Sequence, residues 1–109
     1  MFEIEVRSDR GRQTVAPFGE LDIATRERLE HALTPLLDGG YEHVVVDLRG
    51  VEFMDAAAAG LLVSCANRAR AGNVRFSLIL GSRASYRVLE LCGLLELFEI
   101  VGDLDGSPS

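Results

Sequence analysis

The sequence is poor in the residues that most often build metal centres and redox sites. It has no tryptophan and no lysine, and only two cysteines and two histidines in 109 residues. The cysteines and histidines are not clustered, so no metal site is predicted. No apolar run approaches the roughly 20 residues that a membrane-spanning helix needs, and the first residues do not form a signal peptide. We therefore expect a cytoplasmic protein with no membrane insertion and no metal or cofactor.

An excess of acidic residues narrows the class of partner. The formal net charge is −6, and all eleven basic residues are arginine. Nucleic acids and anionic membranes select surfaces rich in basic residues, so neither is expected as a partner. Such a charge favours a protein partner with a basic patch.

The two cysteines and two histidines suggest no chemistry of their own. Cys65 and Cys92 lie in apolar helical surroundings and are interpreted as buried thiols. Neither His31 nor His43 has an evident partner.

Alternating and apolar segments predict a single α/β domain. MFEIEVR alternates with a period of two and RQTVAPF follows a turn, so the chain begins with a β-hairpin. Three helical segments then alternate with three apolar strands, which gives the order β-β-α-β-α-β-α-β. Strands separated by helices form parallel pairs, so we expect a mixed central sheet of 4-5 strands with helices mainly on one face. Residues 1–102 form the domain, and residues 103–109 are predicted to be a polar C-terminal tail.

The stretch FMDAAAAGLL joins the apolar segment VVVDLRGVEF to a helix predicted over residues 56–71. A helix start offers unpaired N–H donors, yet the four positions after Asp55 hold no hydroxyl, thiol or imidazole. Asp55 is either a helix N-cap or a contact for a partner, and the two roles are compatible. Four consecutive alanines sweep around almost a full helical turn, so at least one or two are exposed. No nucleophile and base stand at matching spacing, so an enzyme is not expected.

The order and spacing of these segments resemble the STAS domain, the family of bacterial anti-sigma factor antagonists. The resemblance covers nearly the whole chain: GELDIAT is similar to the segment before the family's first helix, and VVVDLRGVEFMD to its central strand, loop and acidic residue. GLLVSCANRARAGN and VLELCGLLELFEI are similar to the next helix and to the closing helix and strand. The resemblance implies a partner-switching regulator that binds an anti-sigma factor, typically a serine kinase of the histidine-kinase-like ATPase type. Binding displaces the sigma factor, which then joins RNA polymerase.

The sequence departs from the family at the position that would be modified. Family members place a phosphoacceptor Ser or Thr directly after the acidic residue, in a pattern close to Asp-Ser-Ser/Thr-Gly-Leu-Gly. Here Ala56 stands at that position, so phosphorylation there is not possible. The replacement is either natural or engineered. Ser64 lies eight residues further on, about two helical turns away, and is expected to be inaccessible to a kinase.

The candidate partner-binding surface implied by the resemblance comprises the junction and two neighbouring loops. Its residues are Asp55, Ala56, Ala57, Ala58, Ala59, Gly60, Glu20, Asp22 and Arg49. Glu20 and Asp22 are equally compatible with capping of the first helix, and Arg49 is compatible with a solvated side chain. The alternative function is a scaffold or regulatory subunit of a signalling or membrane transport complex, which also needs no phosphoacceptor. The sequence leaves open a homodimer and the identity of the sigma factor.

Overall fold

A computed structural model describes residues 1–102, which form six strands, three α-helices and a short 3-10 helix. The strands are β1 (Phe2–Asp9), β2 (Arg12–Leu21), β3 (His43–Asp47), β4 (Val51–Met54), β5 (Arg75–Ile79) and β6 (Glu99–Val101). The helices are α1 (Arg26–Leu37), α2 (Ala56–Ala71) and α3 (Arg83–Leu91), and the 3-10 helix covers Leu95–Leu97. The predicted tail at residues 103–109 lies outside the described residues.

The described strands join one mixed sheet in the order β1-β2-β3-β5-β6, and β4 pairs with β2 beside this path. β1 and β2 are antiparallel, whereas every other strand pair is parallel. The parallel pairs arise because a helix between two strands returns the chain to the same end of the sheet. The predicted α/β class and mixed sheet are therefore confirmed.

The strand β4 is an element that the sequence analysis did not include. β2 is ten residues long, and β3 pairs only with its first part, from Arg12 to Val15. A tight turn, closed by a 3.1 Å hydrogen bond from Val51 N to Leu48 O, then brings the chain back to β2. There β4 pairs with the last part of β2, after a register shift between Gly19 and Glu20. Since β4 leads directly into α2, the added strand sets the position of the strand-to-helix junction.

The main core lies between the sheet and the three helices. Successive residues of a strand point to opposite faces, and the helix-facing set on β3 and β5 is Val44, Val46, Phe76 and Leu78. The helices bury Leu29, Leu33 and Leu37 from α1, Ala58, Leu62 and Cys65 from α2, and Leu89 from α3. All of them belong to one hydrophobic cluster with the strand residues, so the helices occupy one face of the sheet as predicted.

The prediction of two buried thiols is wrong for one cysteine. Cys65 is buried in the core, and this burial raises the pKa of its thiol to about 11. Cys92 is exposed where α3 ends. Apolar neighbours in the sequence did not distinguish the two sites, because the side of a helix that is buried depends on the elements packed against it.

Candidate functional site

Asp55 caps the N-terminus of α2, as one of its two sequence interpretations predicted. It has extended backbone angles (φ −108°, ψ 178°), and its Oδ1 accepts a hydrogen bond of 3.0 Å from Ala58 N. This geometry satisfies one of the N–H groups that a helix start leaves unpaired. The cap ends β4 and begins the helix within one residue, so the start of α2 is fixed relative to the sheet.

Asp55 also ties the start of α2 to the loop that follows β2. Its Oδ2 accepts a hydrogen bond of 3.0 Å from Ile23 N, and its own N–H donates to Leu21 O at 3.3 Å. One carboxylate therefore holds two surface segments that are 32 residues apart in the chain. The acidic loop does lie beside the junction, in agreement with the placement that the resemblance implied.

Asp22 serves the structure of its own loop. Its Oδ1 accepts hydrogen bonds from Ala24 N at 2.9 Å and from Thr25 N at 3.1 Å. The hydroxyl of Thr25 donates to Glu20 O at 2.7 Å, which closes the same turn just before α1. The expectation that Asp22 caps α1 is therefore wrong, because the N-cap residue is Thr25, which makes no side-chain capping hydrogen bond. The side chain of Glu20 is exposed.

The four alanines divide into two groups. Ala58 and Ala59 are almost completely buried and belong to the core, so neither offers a surface to a partner. Ala56 is exposed and Ala57 is half-buried, as the helical sweep required of at least one or two of them. Gly60 is exposed, and a methyl group placed on it would meet no atom within 4 Å. Of the five small residues in the candidate surface, three are therefore accessible.

Two apolar side chains that sequence analysis missed flank this small-residue surface. Ile23 is 70% exposed and Phe53 is 49% exposed. Ile23 lies in the loop that Asp55 holds, and Phe53 lies two residues before Asp55 on β4. The available signal was the position of two apolar residues inside polar, turn-forming stretches. With Ala56 they add exposed apolar area beside the carboxylate of Asp55.

The expectation that Ser64 is inaccessible is wrong. Ser64 is exposed, because the spacing of four residues places it on the same side of α2 as Ala56 and Gly60. The apolar residues next to Ser64 in the sequence face the core, but α2 is buried on that side only. It remains about two turns from the helix start, so it does not occupy the position of Ala56.

Arg49 is not a solvated side chain. Its Nε donates to Asp47 Oδ1 at 3.0 Å and its Nη2 donates to Asp47 Oδ2 at 2.8 Å, while Arg7 Nη2 lies 3.4 Å from the same carboxylate. Burial alone would raise the pKa of Asp47, but the hydrogen bonds from Arg49 outweigh it and hold the pKa below its usual value. Arg49 thus stabilises a buried carboxylate, which accounts for both residues without a catalytic role.

A polar cluster on β3, β5 and β6 corrects the expectation that the histidines have no partner. His43 Nε2 lies 2.7 Å from Ser77 Oγ, and Ser77 donates its hydroxyl proton to Glu99. Arg75 Nε in turn donates to Glu99 at 2.7 Å. His31 lies 3.8 Å from the carboxylate of Glu27, but both side chains are exposed.

The cluster around His43 does not have the geometry of a catalytic triad. Ser77 is completely buried, and the carboxylate of Glu99 binds the serine instead of orienting the second ring nitrogen of the histidine. Burial lowers the pKa of His43 from its ordinary 6.5, the charge of Arg75 lowers it further, and Glu99 opposes both effects. The cluster therefore holds a neutral histidine in the sheet.

Neither a metal centre nor a membrane span emerges from residues 1–102. No group of three or more His, Cys, Asp or Glu side chains is placed to hold a metal ion in this part of the chain. No helix in the same range is long and apolar enough to cross a bilayer. What the described fold presents is an α/β domain whose capped and exposed helix start has no reactive side chain.

Comparison with known proteins places this domain in a family. The family model described as the STAS domain matches residues 3–106. The chain therefore belongs to the STAS domain family, as the resemblance in its sequence indicated.

Relatives and solved structures agree with this placement. An anti-sigma-B factor antagonist of Staphylococcus aureus is 30% identical over 82 residues, which cover 75% of this chain and 76% of that protein. The crystal structure of an anti-sigma factor antagonist from Mycobacterium paratuberculosis has a TM-score of 0.87 at 25% identity and covers 96% of this chain and 89% of its own. The Bacillus cell fate determinant SpoIIAA in its phosphorylated form has a TM-score of 0.72 at 21% identity, covering 96% and 93%, and shows the shared fold. Anti-sigma factor antagonists are regulatory proteins, not enzymes, in agreement with the sequence prediction.

Proposed function

We propose that this protein is an anti-sigma factor antagonist: it binds an anti-sigma factor in the cytoplasm and so regulates sigma-factor-dependent transcription. The support is its membership of the STAS domain family together with relatives named as antagonists in Staphylococcus aureus and Mycobacterium paratuberculosis. The proposed partner is a serine kinase of the histidine-kinase-like ATPase type. A net charge of −6 favours a partner surface with a basic patch.

The exposed start of α2 is the proposed centre of the binding surface. Ala56 presents a methyl group there and Gly60 presents bare backbone, and Ile23 and Phe53 are exposed apolar side chains next to the junction. The observation that supports this choice most strongly is the pair of hydrogen bonds that the Asp55 carboxylate accepts. They hold the loop at Ile23 and the first turn of α2 in one rigid unit. A surface built in advance loses less conformational freedom on binding.

Phosphorylation at the start of α2 does not control this protein in our proposal. A phosphate needs an oxygen acceptor, and the exposed side chain of Ala56 is a methyl group. The first turn of α2 contains no acidic residue, and the carboxylate of its N-cap, Asp55, is engaged in hydrogen bonds from two backbone N–H groups. Binding is therefore constitutive with respect to this position, and the amount of either protein sets the level of the complex.

Isothermal titration calorimetry with the cognate anti-sigma factor tests the proposal. The test variant is Ala56→Asp, which puts a negative charge at the exposed helix start. The matched control is Ala71→Asp, since Ala71 is also exposed on α2 but lies fifteen residues, or about 22 Å, further along the helix. Both variants change the net charge equally, so only the location of the charge differs.

We expect the native chain and Ala71→Asp to bind alike, and Ala56→Asp to bind at least tenfold more weakly. An acidic residue near a helix N-terminus is favourable for the helix, so a loss of binding by Ala56→Asp will not reflect unfolding. No binding by the native chain, with or without nucleotide, would refute the antagonist function. Equal binding by all three proteins would instead mean that the binding surface does not include Ala56.

A further inference from the structure

The outer edge of β1 is regular and has no strand partner in the described sheet. β1 is at one end of the sheet, and its register with β2 runs without interruption from Phe2↔Gly19 to Asp9↔Arg12. Its eight residues, FEIEVRSD, include no proline and no bulge. Proteins usually blunt such edges, because a free row of N–H and C=O groups pairs readily with another strand.

The hairpin turn shows which backbone groups of β1 point outward. Arg10 and Gly11 have φ of 52° and 83°, which are the values of a two-residue turn with both central residues left-handed. The residues that flank such a turn, Asp9 and Arg12, exchange both hydrogen bonds, and bonded pairs then alternate along the ladder. The outward-facing N–H and C=O groups therefore belong to Phe2, Ile4, Val6 and Ser8.

Two observed hydrogen bonds agree with this alternation. The carbonyl of Phe2 accepts from Arg28 Nη1 at 3.2 Å, so it does not point to β2. Gly19, opposite Phe2, donates its N–H to Gly50 O at 3.0 Å instead of to β1. Phe2 and Gly19 therefore form a pair without mutual hydrogen bonds, and the groups of Phe2 lie on the free edge.

The side chains of β1 are complementary to those of a second, antiparallel copy. In the register centred on Glu5, Ile4 lies opposite Val6 of the second copy, and Glu3 lies opposite Arg7 of the second copy. The first pair covers apolar area on the helix side, where Val6 is 52% exposed and Ile4 half-buried. The second pair joins opposite charges on the other face. Symmetry repeats each pair, and only Glu5 meets a like charge.

The neighbouring registers are less favourable. Centring the pair on Ile4 puts Glu3 opposite Glu5 of the second copy. Centring it on Val6 pairs Glu5 with Arg7 of the second copy but puts Glu3 opposite Asp9. Each of these registers creates two like-charge pairs by symmetry, and a shift by an odd number of residues would pair side chains of opposite faces. Charge and exposure thus select one register.

We propose that β1 is a homodimer edge: two copies pair antiparallel through their β1 strands around an axis at Glu5 and form one continuous sheet. Roughly six to eight backbone hydrogen bonds, two for each hydrogen-bonded pair, join the copies. The lower number applies if the carbonyl of Phe2 keeps only its bond from Arg28. Arg7 contributes although it lies 3.4 Å from Asp47, because its side chain is 53% exposed and a guanidinium has five N–H donors. The dimer is independent of the proposed function, since Ala56 and Gly60 take no part in it.

Sedimentation velocity over a concentration series up to millimolar chain tests the dimer. The native chain should show a reversible, concentration-dependent species of twice the single-chain mass. Glu3→Arg and Arg7→Glu each create like-charge pairs across the axis, so each should weaken dimerisation at least tenfold. An equimolar mixture of the two single variants should dimerise again, and so should the double variant, because both restore opposite charges.

Restored pairing can arise only between chains. Glu3 and Arg7 are four residues apart on one strand, about 13 Å, so they do not contact each other within a chain. Glu90→Arg, an exposed position on α3, controls for the change in net charge. If Arg7→Glu unfolds, Val6→Arg replaces it, since it puts a charge opposite Ile4 of the second copy and should also give a monomer. A native chain that stays monomeric, or a dimer unaffected by Glu3→Arg, would overturn the proposal.

Discussion

Both α2 and α3 begin with a side-chain N-cap, which is a carboxylate in α2 and a hydroxyl group in α3. At each start the N-cap side chain accepts a hydrogen bond from the N–H three residues on: Asp55 from Ala58 at 3.0 Å, and Ser82 from Ser85 at 3.2 Å. Ala58 and Ser85, three positions after the two caps, are both completely buried, and the first residue of each helix is exposed. The two starts therefore differ in chemistry and not in burial, because α3 carries hydroxyl groups at its cap and at Ser85, and the start of α2 carries none.

The two caps also differ in reach. The hydrogen bonds of the Ser82 side chain stay within the first turn of α3, where its Oγ lies 2.8 Å from Ser85 Oγ. Asp55 uses its second oxygen to hold Ile23 N in a loop 32 residues earlier. Capping alone therefore does not distinguish a functional junction from an ordinary helix start. The feature that distinguishes the start of α2 is its connection to a second surface segment.

Asp55→Ala should have the largest effect, because it removes both connections. The loss of the cap costs about 1 kcal/mol of unfolding free energy, and release of Ile23 N adds to this, for a total of about 1–2 kcal/mol. Binding to the anti-sigma factor should fall by more than tenfold, since the loop at Ile23 is no longer held. Urea unfolding and calorimetry measure the two effects. Unchanged binding with reduced stability would show that α2 and α3 do not differ in function.

Ser82→Ala should affect stability alone. Losing this cap costs about 1 kcal/mol. Ser85 keeps the hydrogen bond from its Oγ to Ser82 O, at 3.0 Å, so its buried hydroxyl is not left unpaired. Urea unfolding checks the stability, and calorimetry should give the native affinity. A loss of affinity equal to that of Asp55→Ala would contradict the division between the two helix starts.

The sequence predicted the Asp55 cap and most of the sheet, but not which side of each helix is exposed. The alternation in MFEIEVR and the β-branched run before Asp47 identified β1 and β3, because these patterns depend only on local spacing. β4 was not predicted because it pairs with the last part of β2, which β3 leaves unpaired, and local sequence does not show this pairing. Ser64 and Cys92 were assigned to the interior from apolar neighbours, and only the packing of α2 and α3 shows both to be exposed.

Acidification should lower the unfolding free energy of the domain while leaving partner binding at the junction nearly unchanged. The folded pKa of His43 lies below its ordinary 6.5, so the unfolded chain binds more protons as the pH falls through that value. Unfolding free energy should therefore decrease from pH 7 towards pH 5, and His43→Gln should flatten this decrease. Asp47 and Glu99, whose pKa values are lowered, lose their contribution only at more acidic pH. Anti-sigma factor binding should change little from pH 7 to 6.5, and a steep change there would place a titrating group at the junction.

Ala56→Ser should have the smallest effect on stability and the clearest effect on control. A serine at the first position of α2 changes helix propensity by only a few tenths of a kcal/mol. It restores a hydroxyl on an exposed side chain, so a kinase partner should phosphorylate it. Mass spectrometry of peptides identifies the site and separates it from the exposed Ser64. No label, with binding intact, would mean that the partner lacks kinase activity towards this junction.

The start of α2 is proposed to bind its partner without phosphorylation control. The direct test incubates the native chain with its anti-sigma factor and ATP, and follows the complex by size-exclusion chromatography and the chain by intact mass. We expect an unchanged mass and a complex that persists, while Ala56→Ser gains a phosphate under the same conditions. A native chain that acquires a phosphate, at Ser64 or elsewhere, and leaves the complex would contradict it.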